Sequence, residues 1–147
     1  MRKDRAFWDS SSLLLLCCDQ KGFTAVSQNL VRQFPKIVVW WSTPVEMENG
    51  LCRLIRKGEI DREQSLAGKR RLSLLLSRWR EVLPTEQLRL LAVDIVQRHA
   101  LTTADALQLA AALIWCNQKP HNRPFVCFDK NLNAAATEVG FLVFPYP

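Results

Sequence analysis

Four carboxylates stand where a fold could gather them. Asp9 closes the segment FWDSS and Asp129 closes FVCFD. Glu46 follows Thr43-Pro44-Val45 just past the run IVVWW, and Asp105 opens the pattern TADALQLAAALIWCN. Carboxylates drawn together repel one another, and helix N-terminal dipoles offset only part of that repulsion, so a shared divalent cation is the natural counter-charge. Three or four oxygen donors, with no histidine and no thiolate, suit Mg²⁺ or Mn²⁺. Such an ion lowers the pKa of a bound water and neutralises charge building on a phosphoryl group during in-line attack, chemistry that needs no protein nucleophile.

Each acid also has an ordinary structural reading. Asp9 and Asp129 fit helix N-caps, Thr43-x-x-Glu46 fits a capping box with Pro44 at the first helical position, and Thr102-x-x-Asp105 permits capping too, each cap being worth about 1 kcal/mol. Taken singly, capping is the simpler account of Asp9, Glu46 and Asp129; taken together it weakens. Asp105 argues hardest for function. Apart from Gln108 its helix has almost no other polar side chain, and a carboxylate carried into an interior is costly unless paired, hydrogen-bonded or bound to metal. Glu48, Glu59, Asp61, Glu63 and Asp94 lie on mixed helical surfaces and read as solvated or paired.

The elements that must position these acids follow from the hydropathy pattern. Ala6–Trp8, Ile37–Trp41, Phe125–Phe128 and Phe141–Phe144 read as buried strands. Helical patterns cover Ser11–Asp19, Thr24–Phe34, Pro44–Lys57, Asp61–Val82, Thr85–His99, Thr103–Asn117 and Asn131–Val139. Strands without a polar face, alternating with helices, predict an α/β fold whose parallel sheet is covered on both sides. In such a sheet every strand-to-helix turn lies on the carboxyl edge, which would make Asp9, Glu46 and Asp129 neighbours.

The 147 residues, 48% of them apolar and 23% charged, allow one core and predict a single domain over 1–147, and they exclude a disordered, collagenous or coiled-coil chain. Five cysteines, odd in number and including the adjacent Cys17 and Cys18, read as reduced core residues of a cytoplasmic protein. His99 and His121 are isolated, so zinc and Cys/His nucleophile schemes find no support. The opening MRKDRAFWDSSSLLLLCC is broken by Asp9 and three serines, and reads as a first strand and helix rather than a secretion signal. No apolar run approaches the 18 or so residues that cross a bilayer, so no membrane association is expected. Neither the P-loop nor the dinucleotide glycine pattern occurs.

The net charge of +6 is concentrated. Between Arg53 and Arg80 nine basic residues meet three acidic ones, and the rest of the chain is balanced. Such a tract is either a polyanion-binding face, with Arg53, Arg56, Lys69, Arg70 and Arg71 as candidate RNA contacts, or a solvated surface helix. With the acids, it predicts metal-assisted phosphodiester hydrolysis of nucleic acid.

In order and spacing, FWDSS, TPVEMENGLCRL, LTTADALQLAAAL and FVCFDKNLNAAATEVGF resemble the PIN-domain family, in particular the VapC-type ribonuclease toxins of bacterial toxin-antitoxin pairs, over about residues 6 to 144. The resemblance implies a three-layer α/β/α fold around a parallel sheet of four to five strands and an endoribonuclease dependent on Mg²⁺ or Mn²⁺. It places the family's acids on Asp9, Glu46, Asp105 and Asp129, with Asp9, Asp105 and Asp129 as metal ligands and Ser11 as a supporting hydroxyl. It also implies a homodimer and a cognate antitoxin whose tail covers the acidic site. Trp40, Trp41, Trp79 and Trp115 are candidates for such interfaces, with core packing the plainer reading. Departures are Cys127 in place of a frequent threonine or serine, Gln108 in place of a frequent histidine, and Gly50 in place of a helix-forming alanine. A catalytically silent module that binds RNA or protein, and a carboxylate-metal phosphatase acting on small esters, are the competing expectations.

Overall fold

The computed structural model describes residues 4–18 and 24–145. Among them the chain runs β1 (Arg5–Trp8), α1 (Ser10–Cys17), α2 (Thr24–Gln33), β2 (Lys36–Trp40), α3 (Thr43–Arg56), α4 (Arg62–Leu76), β3 (Arg80–Val82), α5 (Glu86–Arg98), α6 (Thr103–Trp115), β4 (Pro124–Val126), α7 (Lys130–Val139) and β5 (Leu142–Phe144). The five strands form one sheet in the order β3-β2-β1-β4-β5, and every pairing is parallel. β1 is central: Phe7 stands opposite Val38 on one side and Phe125 on the other.

Alternate residues of the strands feed two cores. Phe7, Val38, Trp40 and Phe125 pack with Leu88, Ile95, Leu109 and Leu132 from α5, α6 and α7. Ala6, Trp8, Ile37, Val39 and Val126 pack on the other face with Leu13, Leu30, Met47 and Leu72 from α1 to α4. Burial on both faces is why these strands show no polar alternation. The result is the three-layer α/β/α arrangement read from the sequence.

Most elements fall within a residue or two of their expected bounds. One does not. The helix expected over Asp61–Val82 stops at Leu76, and Arg80–Val82 crosses over to become β3, an edge strand paired with Val38–Trp40. Trp79, 8% exposed, enters the core at the break, and its indole N–H donates to Glu81 at 3.0 Å, so strand pairing and a buried tryptophan override a helical pattern. The tryptophans divide between the core and interface readings. Trp40 and Trp79 are buried core residues, Trp115 is partly buried beside Phe7 under the Arg123 guanidinium, and Trp41 alone of the four is exposed. Asp19, expected to end the first helix, lies outside the described residues.

Gly50 also has a reason the sequence did not give. A Cβ there would come within 2.9 Å of Leu14 Cδ2, so the glycine lets α1 and α3 approach closely at the point where both border the site described next.

Candidate active site

Asp9 follows β1 directly and caps α1, accepting the Ser12 N–H at 3.3 Å. Ser11 Oγ lies 2.9 and 2.8 Å from the two Asp9 oxygens and accepts the Phe128 N–H at 3.3 Å, tying the first acid to the loop after β4. Asp129 ends that loop and caps α7, with Oδ1 accepting the Leu132 N–H at 2.9 Å. For these two residues the cap and the site are not alternatives: each carboxylate caps its helix from the wall of the same cleft.

Glu46 corrects the capping-box expectation. The N-cap of α3 is Ser42, whose side chain makes no cap bond, and Thr43 is buried inside the helix. Freed from that duty, Glu46 Oε2 accepts from Ser42 Oγ at 3.0 Å and Gln108 Nε2 at 2.9 Å. At Asp105 half a cap forms: Thr102 Oγ1 accepts the Asp105 N–H at 3.2 Å, and the Asp105 carboxylate borders the cleft.

The cleft has a volume of about 550 Å³, and all four acids line it, with Ser11, Arg53 and Lys57. Among the described residues no ion pair reaches any of the four. Burial therefore dominates at Asp9, Glu46 and Asp105. Asp9, 2% exposed, is pushed from its ordinary 3.8 up to about 6 by desolvation, against the pull of the Ser11 and Ser12 hydrogen bonds. Glu46 is raised by burial, against Ser42 and Gln108, with the charges of Asp9 and Asp105 adding to the rise. Asp105 is raised by burial and then by the charge of Asp129. Like charges held in mutual reach resist ionisation, and that strain is relieved by a positive charge placed among them.

Whether the residues fit a divalent ion rests on that donor set. Among the described residues no group of three or more His, Cys, Asp or Glu side chains stands ready to hold a metal. The donors are nonetheless all hard oxygens, free of ion pairs and lining one cleft, and Mg²⁺ is commonly held by only one or two carboxylates while keeping several waters. The chemistry fits; a closed sphere of ligands is not preformed.

Residues 6–138 match the family profile of the PIN domain. The chain belongs to the PIN domain family. PIN domains are typically nucleases and generally use divalent metal ions, in keeping with an acidic cleft of oxygen donors. Comparison with curated proteins returns no match. Among solved structures this PIN domain is similar to the crystal structure of PAE2754 from Pyrobaculum aerophilum, at a TM-score of 0.59 and 23% identity over 89% of this chain and 78% of that one, a likeness of fold.

The basic tract divides. Arg53 borders the cleft, but Lys69 pairs with Glu48 at 3.4 Å, and Arg71 donates to the Cys17 carbonyl at 2.9 Å at the end of α1. Arg56 and Arg70 are exposed and lie outside the cleft lining. The cation missed as a site residue is Lys57, four residues after Arg53 and one turn along α3, a spacing that could have singled it out. Also missed were Ser10 and Ser42, at the entries to α1 and α3, and Asn49 within α3, whose hydroxyl and amide groups carry no distinguishing signal. Gln108 was noticed only as a departure from pattern. Cys127 is fully buried between the acids, accepting the Asp129 N–H at 3.3 Å, and burial raises its thiol far above the usual range. Among the described residues no helix is long and apolar enough to cross a membrane.

Proposed function

We propose that this PIN domain is a metal-dependent endoribonuclease, the toxin component of a toxin-antitoxin pair. The observation that carries the reading is the convergence of four unpaired carboxylates from four separate segments on one cleft, with Arg53 and Lys57 on its wall. Asp9, Asp105 and Asp129 would hold Mg²⁺ or Mn²⁺. A cation bound there supplies a bound water of lowered pKa and neutralises charge on the phosphoryl group. The side chains do the rest. Arg53 and Lys57 receive the RNA backbone and set the scissile phosphate against the acids. Glu46, whose proton affinity burial raises, presents Oε1 to orient the attacking water and take its proton.

Two partners belong to the same reading, a cognate antitoxin and a second copy of the chain. Trp41, Val45, Leu74, Leu83 and Leu90, each more than half exposed, supply apolar surface for protein contacts. Free cysteines, four of them buried, accord with a reducing cytoplasm.

A second reading, a silent RNA-binding module, draws on the lack of a ready-made ligand triad among the described residues. One experiment separates the two. Purified protein, stripped of bound partner, is incubated with total cellular RNA in Mg²⁺ or Mn²⁺, in EDTA, and as a folded Asp105→Asn variant. Discrete fragments that require both metal and Asp105 support the nuclease. Salt-sensitive RNA binding without fragments, indifferent to EDTA, moves the conclusion to the binding module.

A further inference from the structure

Gln108 lies one turn beyond Asp105 on α6, in a helix otherwise dominated by alanine and leucine, and is 1% exposed. Its Nε2 donates to Glu46 Oε2 at 2.9 Å and stands 3.4 Å from Thr43 Oγ1. Its Oε1 is buried without a hydrogen-bond partner. The opposite amide orientation would let Thr43 donate to that oxygen, but it would set a carbonyl against the Glu46 carboxylate, which only accepts. The carboxylate therefore dictates which way the amide points, and the unsatisfied acceptor is the consequence.

A buried acceptor without a donor opposes folding, and an unbranched apolar side chain such as methionine would fill the same space without that penalty. The position is thus polar at a cost to packing, as happens where a residue serves a site. The Glu46 hydrogen bonds show what is served. Oε2 holds two donors, Gln108 at 2.9 Å and Ser42 at 3.0 Å, whereas Oε1 meets only Ser10 Oγ at 3.5 Å. Two donors on one oxygen, one from α6 and one from the entry to α3, fix the carboxylate plane and leave the other oxygen available.

We infer that Gln108 is a positioning residue: it clamps Glu46 Oε2 so that Oε1 is presented to the cleft. The inference rests on the nuclease reading for its kinetic consequence but not for its geometry. Because α6 carries both Asp105 and Gln108, one rigid helix sets the relative placement of two acids whose segments lie far apart in sequence.

The test compares wild type, Gln108→Met and Gln108→His in Mn²⁺-dependent RNA cleavage, thermal unfolding and crystal structures. Methionine keeps the volume and removes the donor, and neutral histidine restores an N–H of comparable reach. Gln108→Met is expected to lower kcat about 10- to 100-fold with KM within about two-fold, the effect of a lost outer hydrogen bond to a site residue, and to leave the thermal midpoint within about 4 °C, because relief of the orphaned Gln108 acceptor offsets the donor lost to Glu46. Its crystal structure should show Glu46 rotated off its present axis, and Gln108→His should recover most of kcat. An unchanged kcat, an unmoved Glu46, or a loss of folding stability parallel to the loss of rate would each overturn the proposal. If wild type cuts no RNA, the nuclease reading falls alone, and the Glu46 orientation in Gln108→Met still decides the positioning claim.

Discussion

Replacing Asp9 by asparagine should make the metal-free protein more stable at neutral pH while abolishing cleavage. Burial moves the Asp9 carboxyl from 3.8 to about 6, and two units correspond to about 3 kcal/mol of preference for the protonated form. A folded-state pKa above the unfolded value means that the native state binds the extra proton. Stability from this group is therefore complete below about pH 3.8 and is lost as pH rises through about 6. Asparagine has no charge to desolvate. It can still accept the Ser12 N–H, but it forfeits one side of the Ser11 bridge, a loss of about 1 kcal/mol. The net expectation is a gain of about 2 kcal/mol at pH 8, or about 4 to 8 °C in midpoint for a chain of this size. At pH 4 the variant should be level with wild type or slightly weaker. Urea unfolding in EDTA across pH 4 to 8 measures the difference directly. Saturating Mn²⁺ should then narrow the gap by stabilising wild type alone. A variant that is less stable than wild type at pH 8, or a difference that does not change with pH, would show that Asp9 is a structural cap and that its buried charge carries no cost.

The remaining expectations concern the cations and the helix packing. Arg53→Ala and Lys57→Ala should each weaken RNA binding and lower the slope of log affinity against log salt by about 1, read by fluorescence anisotropy, because each contact releases about one counterion. Lys69→Ala, whose ammonium is already committed to Glu48, should leave that slope unchanged. Gly68→Ala should destabilise the fold by about 1 kcal/mol in chemical denaturation, since overpacking of about 1 to 3 kcal/mol outweighs a helix-propensity gain of about 1. The added methyl would stand 3.1 Å from Cys18 Sγ and 3.3 Å from the Cys17 carbonyl, a backbone atom that Arg71 also holds.

Much of this is legible in the sequence. Apolar strand segments and strand-to-helix turns placed Asp9 and Asp129 on one sheet edge, because parallel topology leaves them no other place. Asp105 announced itself as an acid entering an apolar helix. What stayed hidden depends on packing across the fold. Arg80–Val82 is a three-residue, charged edge strand whose only mark is its pairing with β2, so periodicity carried the helix through it. The Gln108 hold on Glu46 joins residues 62 positions apart, and no local pattern reports such a bond. The same holds for the basic tract, where charge density marked the region but could not tell Arg53, facing the acids, from Arg71, spent on a helix carbonyl.

The central place of β1 has a consequence for how such a chain is made. The neighbour of β1 in the sheet, β4, is synthesised more than a hundred residues after Asp9, and Asp129 follows that strand. The cleft therefore does not exist in a nascent chain, whatever part of it has already folded. A nick or truncation that removes the last two strands leaves three of the acids without the loop that Ser11 holds against Asp9. The four acids therefore line one cleft only after β4 has paired with β1, so the site is assembled by the sheet and not by any one segment of it.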